Sequence, residues 1–144
     1  MQLFRITSFS NVFGEELPDE TLIELSYVFE AGLLKSLDER GLGDTFDVET
    51  YWRRGSLINE FVLLLKDVDL VNAFTVSAAT LGGTYKTLKD YKVLRENLLL
   101  AVEDYKKVRA RFGQKQISLK GVDVSESTKP SKGAKPIRTE DDAP

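Results

Sequence analysis

From Tyr91 to Phe112, apolar side chains recur three and four residues apart: Tyr91, Leu94, Leu98, Ala101, Tyr105, Val108 and Phe112. That spacing puts apolar groups along one side of an α-helix and leaves the rest to charge. Gly113 follows directly and is a helix C-terminal stop. A stripe of this length has two uses. The plainer is burial against a sheet or another helix of the same domain. The sharper is a seam for self-association, since three-four spacing also suits helix-to-helix packing. It covers only about three heptads, which is short for a coiled coil.

The residues before the stripe differ in kind. Leu70 to Leu81 reads LVNAFTVSAATL, rich in small residues and without charge between Asp69 and Lys86. Asp67 and Asp69 stand where a helix would start, and acids favour its positive end. Val68 to Phe112 therefore reads as two helices, or as one helix broken at Gly82-Gly83. The uncharged run is interrupted by Asn72 and by Thr and Ser residues. It is also shorter than the roughly 20 apolar residues that a spanning helix needs. Its small residues nonetheless resemble the close-packing faces of membrane helices.

Upstream, Gln2 to Phe9 has the alternation of a strand, and Ser10 to Leu17 reads as a loop. Pro18-Asp19-Glu20 opens a helix. Its buried face is Leu22, Leu25, Phe29, Leu33 and Leu37, with a stop at Gly41. Thr45 to Trp52 alternates as a half-exposed strand. Arg53-Arg54-Gly55-Ser56 is a tight connection into a buried strand, Leu57 to Leu65. The pair reads as a β-hairpin, with one bent strand bulged at Gly55 as the alternative. Gln116 to Val124 is a possible last strand. From Ser125 on, Ile137 is the only large apolar residue. Such a composition buries too little surface to offset chain entropy and predicts disorder.

These elements predict an α+β domain over residues 1–124 with a disordered tail over 125–144. The expected order is β-α-β-β-α-α(-β): a two-layer fold with an antiparallel sheet of three or four strands and helices on one face. A real last strand would bring it to the split βαβ arrangement of ferredoxin-like folds, which specifies no function.

The 144 residues contain no cysteine and no histidine. That removes disulfides, thiolate metal sites, Ser-His-Asp and Cys-His catalysis, and any histidine switch. No cofactor motif is present: neither Gly41-Leu42-Gly43-Asp44 nor Leu81-Gly82-Gly83-Thr84 continues into a phosphate loop or a dinucleotide turn. Asp47 and Glu49 share one strand face and could hold a metal, but charges on an exposed strand need no such reason. Tyr51-Trp52-Arg53-Arg54 puts aromatics beside guanidinium groups, which suits nucleic acid. The acidic balance speaks against it. The first segment lacks a basic stretch and a long apolar run, so the expectation is cytoplasmic residence.

Charge is unevenly spread. Residues 1–85 carry −8, residues 86–120 carry +6, and the remainder −1. The acidic front and the basic helix could attract each other within one fold or between subunits.

The function expected from these features is a small non-enzymatic interaction or oligomerisation module. It would act through a protein partner or a second copy. The interface would use Ala78, Gly82, Gly83, Leu94, Leu98 and Tyr105, with Lys106, Arg109 and Arg111 as a charged rim. Membrane association or pore formation by residues 57–85 is the first alternative, and nucleic-acid binding the second.

Overall fold

A computed structural model describes residues 2–66, 85–112, 116–126 and 129–138. In chain order the described elements are β1 (Gln2–Val12), α1 (Asp19–Glu39), β2 (Phe46–Arg53), β3 (Leu57–Leu65), α2 (Tyr85–Ala110), β4 (Ile117–Ser125) and β5 (Lys135–Pro136). The strands form one sheet in the order β4-β1-β3-β2-β5, with every neighbouring pair antiparallel. The first four strands have the connectivity of the split βαβ arrangement. The helix expected over 70–81, the glycine pair and Ala78 lie outside the described residues.

Local chemistry fixes where the elements begin and end. The Pro18 carbonyl accepts from the backbone N–H of Thr21 and Leu22, and Asp19 and Glu20 occupy the first turn of α1. The helix ends where Gly41 takes φ +73° and Leu42 N–H donates back to the Leu37 carbonyl. Between β2 and β3 the chain reverses within three residues, with Gly55 at φ +120° and Ser56 at φ +65°. This is the expected hairpin, in register Arg53↔Ile58, rather than a bent strand.

Both helices lie on the same face of the sheet. Asn59 of β3 and Thr50 of β2 point at Ser26 and Glu30 of α1, while Phe61 of β3 meets Tyr105 of α2 edge-on at 5.9 Å. The core between the layers joins Phe4 and Ile6, Phe46, Leu63 and Leu65, the predicted stripe of α1, and Leu94, Leu98, Ala101 and Tyr105. Burial of each large side chain there is worth about 1.5–3 kcal/mol relative to exposure. The helices run antiparallel: Arg40, just past α1, pairs with Asp104, while Phe29 meets Phe112.

Three expectations are corrected. Among the described residues the sheet has five strands, more than the three or four expected. β1 continues through Ser10 to Val12, because β4 gives that part of the strand a partner. On α2 the buried stripe passes through Arg109 rather than Val108, which is 49% exposed. Leu57–Leu65 is the buried strand expected from the sequence, paired on both sides by β1 and β2.

The two-layer description also changes. Glu60 points away from the helices, yet it is fully buried. Residues 129–138 belong to the span expected to be disordered. They pass under Glu60 and end as β5 beside β2. Polar composition misleads here because the docking is polar. Two buried carboxylates, Glu30 and Glu60, are partnered by this segment, and a buried charge without a partner is strongly unfavourable.

Candidate functional site

The residues singled out from sequence on α2 do not share one environment. Leu94, Leu98 and Tyr105 are buried in the core. Lys106 is half-buried and pairs with Glu103 one turn back, and Arg111 is exposed past the helix end. Arg109 is buried, with its guanidinium 3.6 Å from the Phe29 ring centroid and farther from Phe112. The structure therefore brings Tyr105 and Arg109 together and separates both from Arg111.

Around Arg109 lies a polar cluster inside the core. Arg109 Nη2 donates to Ser10 Oγ on β1. Tyr105, one helical turn before Arg109, reaches Ser8 on the same strand face. Ser8 lies directly opposite Asn59 in the sheet. Asn59 Nδ2 donates to Ser26 Oγ, which in turn donates to the Leu22 carbonyl, and this chain fixes the orientation of the Asn59 amide. Ser8 Oγ, Asn59 Oδ1, Tyr105 Oη, and Nε and Nη1 of Arg109 make no hydrogen bond of acceptable geometry among the described residues. Burial lowers the Arg109 pKa, opposed by Tyr105, and raises that of the Tyr105 hydroxyl.

A second polar centre holds the C-terminal segment. Glu30 of α1 accepts from Thr50 Oγ1 and receives both terminal nitrogens of Arg138. Tyr27 donates to the Ile137 carbonyl, and Ile137 N–H donates to the Thr50 carbonyl. Ile137 itself is buried. On the other face of the sheet, Glu60 Oε1 accepts from the backbone N–H and the hydroxyl of Ser131, at 3.0 and 2.7 Å. Arg5 and Arg53 flank the same carboxylate at 3.5 and 3.8 Å, and Arg5 also donates to the Lys129 carbonyl. Sequence reading missed this centre. Its signal was Glu30 and Glu60 lying at core positions of a helix and a strand, each requiring a partner.

The remaining motifs resolve locally. Arg54 is held by Glu16, Asp19 and the Leu17 carbonyl beside a cleft of about 260 Å³. Arg53 faces Glu60, and Trp52 is buried beneath Lys135. Asp47 and Glu49 are exposed, the first pairing with Lys66 and the second accepting from Tyr51. Among the described residues, no cluster of three acidic side chains is placed to hold a metal. No described helix is long and apolar enough to cross a membrane.

No protein-family model, curated protein or solved structure gives a significant match to this chain.

Proposed function

We propose that this chain is a small non-enzymatic interaction module whose contact surface is the solvent side of the α1–α2 seam, and that its partner is a second copy. The supporting observation is a set of exposed apolar side chains there. Gly32 of α1 faces Val108 across the seam, where a Cβ on it would lie in ordinary van der Waals contact, 3.8 Å from Val108 Cγ1. Val28, one turn earlier on α1, is half exposed, and so are Val108, Leu100 and Val93 of α2. The helical period sets Leu100 on the side of α2 that turns Asp104 toward Arg40, level with the end of α1; Val93 shares that side two turns farther on, past the α1 terminus. Apolar groups gathered along one seam mark contact surfaces, whereas scattered ones need no reason. The buried residues Leu94, Leu98 and Tyr105 support this surface from beneath. Arg111 and Lys107 stand beside it as exposed cations.

Light scattering across a concentration series tests the proposal. The full chain is expected to exceed monomer mass at high concentration. Leu100→Glu is expected to return it to monomer, with a thermal midpoint equal to that of wild type at dilutions where wild type is itself monomeric. A strict monomer at every concentration removes the second copy as partner.

A further inference from the structure

The described partners of residues 129–138 all lie between Arg5 and Glu60, on β1, α1, β2 and β3. None of these partners belongs to α2 or β4, the elements that lead into the segment. Glu126, one residue past β4, is tied to α2 by Tyr91 and Arg95. Ser127 and Thr128 therefore make the whole connection between that anchor and the segment. We infer that the groove filled by residues 129–138 is a recognition site that also accepts the same segment from a second copy, each chain giving its segment to the other.

The fit between segment and groove is specific. Ser131 gives its N–H and its hydroxyl to one oxygen of Glu60. β5 adds a short rung to the β2 edge, Ile137 is buried, and Arg138 grips Glu30 with both terminal nitrogens. Strand addition with side-chain anchors is how extended peptides are read. The groove is also costly to leave empty. Without the segment, Glu30 keeps only Thr50 among these partners, and Glu60 keeps only the guanidinium groups of Arg5 and Arg53. Buried carboxylates short of partners are strongly unfavourable. A chain whose segment lifts off is therefore stabilised by taking another, and a second copy carries the matching chemistry. Reciprocal exchange remakes each contact within a closed dimer, a low-cost route to association. The tether favours a chain's own segment, so exchange rises with protein concentration. None of this involves the α1–α2 seam.

The test uses the full chain, which has no cysteine of its own to confuse a cross-link. Tyr51 of β2 and Pro136 of β5 lie directly opposite in the ladder, a spacing that a disulfide bridges. The double variant Tyr51→Cys with Pro136→Cys is expected to close within one chain at high dilution, which checks the geometry. The two single variants, each also carrying Leu100→Glu, are then mixed at high concentration and oxidised with glutathione disulfide. The expected product is a dimer joining the two different variants, several-fold above the self-linked dimers of either. Leu100→Glu removes the seam contact, so this outcome is separate from that of the light scattering. Unlike pairs that form no more often than like pairs, or no linked dimer at all, would overturn the inference. If the double variant does not close, a labelled peptide of residues 129–138 is titrated with the full chain carrying Arg138→Ala, and fluorescence anisotropy is read. Saturable binding that is lost when the peptide carries Ile137→Ala supports exchange, and no binding refutes it.

Discussion

Tyr91 stacks on Phe4, with ring centroids 6.1 Å apart, and its hydroxyl donates to Glu126 at 2.6 Å. Burial, followed by that hydrogen bond, pushes its pKa up to about 12 from the ordinary 10.0. The native state therefore keeps the phenolic proton after the unfolded chain has lost it. The resulting stability is fully present below pH 10.0 and is lost as the pH rises toward about 12. Thermal midpoints followed through this window are expected to fall more steeply for wild type than for Tyr91→Phe. Equal slopes would mean that the hydroxyl is not linked to folding. Arg109 shows the limit of reading single residues from sequence. Val108 and Arg109 stand three and four residues after Tyr105, and either spacing continues the stripe. An apolar valine looks like the inward choice. Packing chooses arginine instead, because Phe29 offers its ring and Ser10 its hydroxyl, neither of which is visible on α2 alone.

At the level of elements, the clear periodicities were legible. The apolar spacing of α1 and the hairpin from Phe46 to Leu65 follow from patterns within one segment. The end of β1 and all of β5 did not follow, since each depends on a distant partner strand. The seam between the helices lies between these cases. Gly32 sits inside α1, and nothing in the sequence says whether it is needed there for close approach. The nearest atoms to a methyl added at Gly32 would be Val108 Cγ1 at 3.8 Å and Tyr105 Cε2 at 4.0 Å, ordinary van der Waals contacts. Alanine therefore fits without displacement, and it loses less backbone freedom on folding than glycine. Gly32→Ala is expected to stabilise by about 0.5–1 kcal/mol. Urea titration measures this directly. A lower denaturation midpoint would show that the helices need to come closer there than the contacts indicate.

Over the whole molecule, the chain links its ends through the sheet. β1 is paired on one side by β3 and on the other by β4, so the first strand waits for residues 117–125 before it is enclosed. Residues 129–138 then pass from the β4 edge across Glu60 to the β2 edge. This segment can dock only where Glu30, Thr50 and Glu60 already stand in their native relation, because it touches an α-helix and two strands at once. Its contacts therefore belong late in folding. An interaction absent from the transition state changes the unfolding rate and leaves the folding rate alone. Ile137 is buried and isolated from other apolar residues in sequence, so Ile137→Ala is expected to destabilise by about 2 kcal/mol. Nearly all of that loss is expected in unfolding, about thirtyfold faster in stopped-flow denaturant jumps, with the refolding arm unmoved. A slower refolding arm would instead place the C-terminal segment in the nucleus, making this polar tail a guide to sheet assembly rather than its final clasp.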